Sequence, residues 1–272
     1  MRRSLFCDDK FYCEVQQAIE HSLNTSGLAI LPPLDVMESL AIMKRLAIKP
    51  TTTILDPWYN KGYGGVRSDY SQHIIAMLER AGEISQHVFL WGFPEIIATF
   101  VEKIPAPLSL VCWLTWYYKN NPSVIRGWRS SQNACLHLSQ PGAKLYPEHF
   151  LNEVQKDKQA KGKLRYIPGP TSVIEASLLV GFVGRKEQTG HPSQKPVPVF
   201  ERIILMTTKE ADLVFDPMAG SATTGQATKS NNRRAILCDS SEEYIRIAEK
   251  RLGISRISID PVHLASTKAK GA

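Results

Sequence analysis

Three short stretches carry residues whose types and spacing could do chemistry. The first is Asp56-Pro57-Trp58-Tyr59-Asn60. It places a carboxylate, a proline with a free carbonyl, and an aromatic ring side by side. Two such acceptors can hold an exocyclic amine while the ring stacks on a planar base; alone, the stretch is equally a surface turn with an aromatic anchor. The second is 216–225, Asp-Pro-Met-Ala-Gly-Ser-Ala-Thr-Thr-Gly, with Asp239 23 residues after Asp216. Gly220 and the small Ser221 and Ala222 let a ligand approach the backbone. Amides 221–224 at a helix N-terminus favour anionic groups. Asp239 falls near the ~20-residue interval at which an acid binds ribose hydroxyls in a nucleotide-binding βαβ unit. Gly225 is followed by Gln226-Ala227, with no phosphate-binding lysine, so this is not a Walker loop, nor is it a clean G-x-G-x-x-G. Alone, it is also a tight strand–helix connection. The third is His191-Pro192-Ser193-Gln194-Lys195-Pro196, where two prolines fix the backbone and a lysine projects. Alone, it is simply the start of a helix.

The surrounding elements must position these groups. The first 50 residues read as helical. Asp35 and Glu38 have capping-box spacing ahead of a helix over 34–46. Residues 51–55 are β-branched and apolar and end at Pro57, so Asp56 sits at a strand tip. A helix over 74–81, a strand over 87–91, a helix over 94–104 and strands over 108–116 and 134–138 follow. Residues 144–190 are rich in lysine, proline and glycine and read as an insertion rather than a sheet unit. The alternation resumes with a helix over 198–207, a strand over 212–215, the 216–225 turn and its helix, and a strand over 235–238. A last helix opens with Ser240 and Glu243 and shows Tyr244, Ala248 and Leu252 on one face. This pattern predicts an α/β fold with a mostly parallel sheet and helices on both faces. We divide the single domain into a helical part (1–50), a catalytic half (51–143), an inserted target-recognition region (144–190), a cofactor half (191–259) and a tail (260–272).

The chain has 272 residues, 43% of them hydrophobic and 22% charged, which excludes disordered and fibrous classes. The apolar run 104–118 holds Pro105 and Pro107 and is shorter than the ~18 residues a membrane span needs. No signal peptide is expected from the N-terminus. A net charge of +7 suits an anionic partner, nucleic acid first. The five cysteines form no C-x-x-C pair, which argues against a disulfide scaffold or zinc finger and for a reducing compartment.

In order, DPWYN, HPSQKP with FERII, DPMAGSATT and CDSSEEYIRIAEKRL resemble the β group of S-adenosylmethionine-dependent DNA amino-methyltransferases. The likeness covers roughly 50–142 and 190–253. It implies a Rossmann-like methyltransferase fold that uses S-adenosylmethionine and double-stranded DNA and needs no metal. It implies that Asp56 and Pro57 accept the amine of a flipped base, adenine N6 ahead of cytosine N4, and that Tyr59 stacks on the base. It assigns the cofactor to Asp216, Pro217, Met218, Gly220, Ser221, Thr223 and Asp239, with His191, Ser193 and Lys195 around its amino-acid end. Carbon-5 methylation needs a cysteine beside proline, and the chain has no Pro-Cys. The expected DNA contacts are Lys61, Arg67, Arg126, Arg129, Lys156, Lys158, Lys161, Lys163 and Arg165, and loop 61–71 is a candidate cover over the base. Many members pair as dimers, so a homodimer is an expectation, as is a cytoplasmic place beside DNA and a restriction partner.

Two positions depart from the family pattern. Trp58 stands where proline is usual, and Ala222 where glycine is usual. Ala222 adds one methyl group near the cofactor. Trp58 either is accommodated, or marks a weakened site or a non-catalytic DNA-binding subunit. A nucleotide-binding metabolic enzyme on the same fold is a further alternative, and the missing Walker lysine and the DPWYN motif weigh against it.

Overall fold

The computed structural model describes residues 3–60, 67–122 and 127–258, with side chains from Lys10 onward. Lys61, Arg126, most of loop 61–71 and the tail beyond 258 lie outside the described residues.

The chain begins with α1 (Arg3–Ser26) and a short strand β1 (Leu28–Ile30). Helix α2 (Val36–Arg45) starts at the predicted capping box: Asp35 Oδ1 accepts from Met37 N at 2.8 Å, and Glu38 Oε2 from Asp35 N at 3.1 Å. Strand β2 (Thr52–Leu55), α3 (Tyr70–Ile84) and β3 (His87–Gly92) follow. The helix expected over 94–104 is only α4 (Pro94–Ile97), continued as a 3-10 helix over Ala98–Lys103. Strands β4 (Ser109–Tyr117) and β5 (Gln132–Ser139) form an antiparallel hairpin. A 3-10 turn (Pro147–Phe150), α5 (Glu153–Ala160) and β6 (Val173–Glu175) make up the next segment. The chain then forms α6 (Val197–Thr207), β7 (Leu213–Asp216), α7 (Thr223–Ser230), β8 (Arg234–Leu237) and α8 (Glu242–Leu252).

These strands form one sheet in the order β1-β8-β7-β2-β3-β5-β4-β6. It is parallel except that β5 runs against both β3 and β4. Side chains alternate between the two faces, because a strand has a period of two. Leu55, Val88, Leu90, Phe215 and Ile236 pack with helices α1 to α4. Ile54, Phe89, Trp91 and Val214 pack with α6 and α7, and Leu28, Ile30, Ala235 and Leu237 with α8. Helices therefore cover both faces, as the alternation predicts.

The 144–190 segment departs from expectation, because β6 joins the sheet in parallel pairing with β4. Its lysine-rich part is also placed by topology. Strand β5 runs antiparallel and ends at the edge of the sheet opposite Asp56, where Ser139 pairs with His87 at the start of β3. The stretch that follows docks on the C-terminal end of α6, where Tyr146 N donates to Met206 O and His149 Nδ1 meets Leu205 O. Gly169 lies against Pro147 and Met206, and from there the chain climbs to β6, which pairs with the last three residues of β4 (Thr115–Tyr117). With β6 the segment is back at the edge that carries Asp56.

Candidate active site at the carboxyl edge of the sheet

Parallel strands place their carboxyl ends along one edge, where open α/β sheets bind ligands. Sheet order arranges the groups in a row. Asp239 follows β8, Asp216 ends β7, Asp56 follows β2, Phe93 follows β3, Asn133 begins β5, and Trp116 and Tyr118 end β4. A cavity of about 800 Å³ runs along this row. Asp56 stands at its middle, between the acids of β7 and β8 and the aromatic pair of β4.

All three predicted stretches line this cavity. The structure gives Lys195 protein partners that its motif does not name. Its Nζ forms an ion pair with Asp56 Oδ2 and donates to Tyr59 Oη at 2.9 Å. Tyr59 Oη in turn donates to Asp56 Oδ1 at 2.8 Å. Lys195 is 5% exposed and the Asp56 side chain 21%. The ammonium also lies 5.5 Å from the ring centres of both Tyr59 and Trp91, an attraction that strengthens as water is excluded. Burial, and then the charge of Asp56, hold the Tyr59 hydroxyl well above its usual pKa, so it stays protonated and donates. The Tyr59 ring meets Phe93 edge-on at 4.7 Å.

The other arm is built around the 216–225 turn. Asp216 is 3% exposed; its Oδ2 accepts from Thr224 Oγ1 at 2.5 Å and its Oδ1 from Met218 N at 3.0 Å. Burial pushes its carboxyl up to about 7, with those two hydrogen bonds pulling the other way. Asp239 accepts from Gly220 N and from Ser241 N, each at 2.9 Å, and burial raises it too. His191 packs against Tyr244, with ring centres 4.3 Å apart, and burial lowers its pKa. Its Nδ1 accepts from Ser193 N at 3.2 Å. Gly220 has φ +48, and a Cβ there would lie 2.9 Å from His191 Nε2. Glycine thus satisfies both the left-handed backbone and the close approach.

The two arms are tied together. Thr223 Oγ1 donates to the Lys195 carbonyl at 2.9 Å. Arg251, 8% exposed in its side chain, donates to Thr223 Oγ1 at 3.0 Å and to Ser221 O at 2.9 Å, and pairs with Glu187 at 3.3 Å. No motif in the sequence marks Asn133 or the wall formed by Leu178, Leu179 and Val180, which reach the cavity through tertiary packing. Arg251 falls within the CDSSEEYIRIAEKRL stretch, but nothing in its spacing singles it out. Helix α8 starts one residue later than expected: Ser241 is the N-cap, and its Oγ accepts from Tyr244 N at 3.3 Å. Ile245, Ala248 and Leu252 form its buried face, while Tyr244 turns toward His191.

The departures at 58 and 222 take definite places. Trp58 lies edge-on to Tyr70 at 5.8 Å, clear of the Asp56–Tyr59–Lys195 triangle, with its Nε1 buried and unpartnered. Ala222 caps α7 with φ +58 and is fully buried in the cluster of Leu28, Ile30 and Leu237. Its methyl group points into the core rather than into the cavity, which corrects the expectation that it adds bulk near a cofactor.

Of the expected DNA contacts, Arg67 lines the cavity and pairs with Asp69 at 2.7 Å, and Arg129 is exposed between β4 and β5. Lys156, Lys158, Lys161, Lys163 and Arg165 are not brought to the cavity; they lie in the connection from β5 to β6, which leaves from the opposite edge and docks there on the end of α6. Lys156 and Lys161 pair with Glu153 and Asp157, each at 2.8 Å. Among the described residues, no group of three or more His, Cys, Asp or Glu could hold a metal ion, and no helix is long and apolar enough to cross a membrane.

The sequence profile of the DNA methylase family of N6/N4 type matches residues 52–250, and the chain belongs to this family. It is 30% identical to the Type II methyltransferase M.HpaI of Haemophilus parainfluenzae over 216 residues, 73% of this chain and 67% of that protein. Its fold is similar to that of M1.HpyAVI, solved as a complex with SAM (TM-score 0.63, 23% identity, 84% of this chain and 100% of that one). It is also similar to the cytosine-N4-specific PvuII DNA methyltransferase (TM-score 0.58, 15% identity, 89% of this chain and 94% of that one).

Proposed function

We propose that this chain methylates the exocyclic amine of a base flipped out of duplex DNA, with adenine N6 as the target and S-adenosylmethionine as methyl donor. The observation that carries this reading is the place of Asp56, midway between the acid-lined arm and the Asn133–Trp116–Tyr118 arm of one cavity.

The acid-lined arm suits the donor. Asp239 keeps lone pairs free for ribose hydroxyls after accepting two backbone N–H groups. Gly220 exposes bare backbone beside it. When bound, S-adenosylmethionine supplies an electrophilic methyl group on a sulfonium. The residues of this chain do the rest. An aromatic amine is a weak nucleophile, because its lone pair is delocalised into the ring. Asp56 and the Pro57 carbonyl accept its two N–H groups and draw the nitrogen toward pyramidal geometry. As positive charge develops there, the fixed Asp56 carboxylate is worth more in the transition state than in the ground state. Lys195 opposes part of that attraction, but it also holds the carboxylate in place. The lone pairs left on each Asp56 oxygen face the incoming amine. The base must leave the duplex to present its amine at all.

Aspartate at position 56 favours adenine, since cytosine-N4 members of this group more often carry serine there; cytosine N4 is the second reading. The position of Trp58, outside the Asp56–Tyr59–Lys195 triangle, favours an active enzyme over an inactive subunit. Mass spectrometry of nucleosides tests this, using DNA from a methylation-free host that expresses the chain. N6-methyladenine that vanishes with Asp56→Ala is expected. N4-methylcytosine would reassign the base, and neither product from folded protein would overturn the catalytic reading.

A further inference from the structure

The loop over 181–187 stands on the edge that carries Asp56, yet the chemistry above leaves it unused. Phe182 at its tip is 81% exposed, and the Arg185 guanidinium lies 4.3 Å above its ring. A single exposed apolar side chain is ordinary. The backbone holding this one is not. Gly181 and Gly184 adopt φ +59 and +64, and a Cβ on Gly184 would overlap Leu179 Cδ2. Gln188 Nε2 donates to Gly181 O at 3.2 Å and to Val183 O at 2.7 Å. One foot of the loop is clamped by Asn120, whose side chain bonds both N and O of Leu178, at 2.8 and 2.9 Å. The other is clamped by Gln194, next to Lys195, which bonds Glu187 O at 2.8 Å and Thr189 N at 2.9 Å. Between these clamps, Leu178, Leu179 and Val180 form the cavity wall. The loop is thus a rigid extension of the active-site rim that presents an aromatic ring and a cation outward.

Other exposed aromatics do not share this setting. Tyr166 lies in the connection from β5 to β6, away from the cavity, and Trp128 lies in the turn between β4 and β5, where the described residues around it, 127–131, do not line the cavity. Phe182 itself is outside the cavity, so it does not hold the reacting base.

We propose that Phe182 enters the base stack of duplex DNA where the extruded base has left, with Arg185 on a flanking phosphate. This rests on the reading that the substrate is a base flipped from a duplex. Proteins that distort DNA insert apolar side chains between base steps, offsetting lost stacking with new contacts. An aromatic ring suits the gap because every base has a π-face to stack on. The neighbouring cation draws the phosphate backbone to the rim.

The test compares wild type with Phe182→Ala on two duplexes that carry the chain's own target site, mapped beforehand from methylated host DNA. One duplex is fully paired; in the other the target base faces an abasic position, so that it leaves with little loss of pairing. Methyl transfer from labelled S-adenosylmethionine gives kcat/KM, and thermal melting checks folding. The expected result is a loss of about ten- to hundredfold on the paired duplex, set by the worth of one base–aromatic stack, and none on the abasic one. No loss on the paired duplex, or equal losses on both, overturns the proposal. Host DNA with no methylated base, and so no site to map, overturns the flipped-base reading and this proposal with it.

Discussion

Lys195 pairs with Asp56 across 139 positions of sequence, and the pair is sheltered under Tyr59 and Trp91. The Asp56–Tyr59 motif of the first half is thereby joined by a side chain from the second. Removing one partner of a buried ion pair leaves an uncompensated charge, at about 3–5 kcal/mol. Asp56 is partly exposed, so the lower end applies here. Lys195→Met is expected to lose about 3 kcal/mol of stability by chemical denaturation, and Lys195→Arg distinctly less. Equal stability of Lys195→Met and wild type would mean that the pair is not formed in solution.

Asp56→Asn keeps the shape of the carboxylate and removes its charge. Losing one preorganised electrostatic contact to a developing charge typically lowers kcat about 10²–10³-fold. The same loss is expected here, with S-adenosylmethionine affinity by calorimetry little changed. A large fall in cofactor affinity would move Asp56 from the base side of the cavity to the cofactor side.

Opposed buried groups shape the pH dependence of stability. Asp216 is pushed up to about 7, chiefly by burial, and Asp239 is raised for the same reason. Between the usual carboxylate range and about pH 7, the native state therefore holds more protons than the unfolded chain, and stability falls as pH rises. His137 is held down to about 3 by burial and by His87. From there to its usual 6.5 the unfolded chain holds more protons, and stability rises with pH. His73, His87 and His191 are lowered as well, chiefly by burial, so the histidine and carboxylate slopes oppose each other up to neutrality, and a single-site comparison is needed to separate them. The unfolding free energy of Asp216→Asn relative to wild type should therefore increase between pH 5 and pH 8. A difference that stays constant with pH would refute the assignment.

The turn tolerates change at one position and not at its neighbour. Ala222→Gly relieves a left-handed alanine worth about 1–2 kcal/mol. It also gives up a buried methyl of about 0.8 kcal/mol and loosens the unfolded chain by about 0.4–1 kcal/mol. The sum is near zero, so its melting temperature should match wild type. Gly220→Ala puts a Cβ against His191 on a backbone at φ +48, and about 1–3 kcal/mol of strain is expected. Equal melting of the two variants would contradict the turn geometry.

Much of this fold was legible because period-two runs and capping residues are local. Strands β2, β3, β5, β7 and β8 and the Asp35 capping box fall where the pattern predicts. Strands β1 and β6 were not legible: each has three residues, too few for periodicity to register, and each gains its pairing only from β8 or β4. Strand direction is not written in apolar spacing either. The antiparallel run of β5 carries the lysine-rich stretch to the far edge, where its charge pattern alone suggested a DNA surface. Lys195 was recognised as chemical, but its pairing with Asp56 was not legible, because a hexapeptide does not say which distant carboxylate its side chain will meet.

The pairing of Thr52 with Val214 has a consequence for synthesis. These two strands sit side by side at the centre of the sheet, yet more than half the chain separates them. On the ribosome, β2 and β3 emerge long before β7, and until then one flank of β2 has no strand to bond. Such an open edge invites contact with other nascent chains. Asp56 also waits, without its lysine, for the second half to arrive. The Asp56 carboxylate therefore gains its partner only after Lys195, 139 residues further along, has been made.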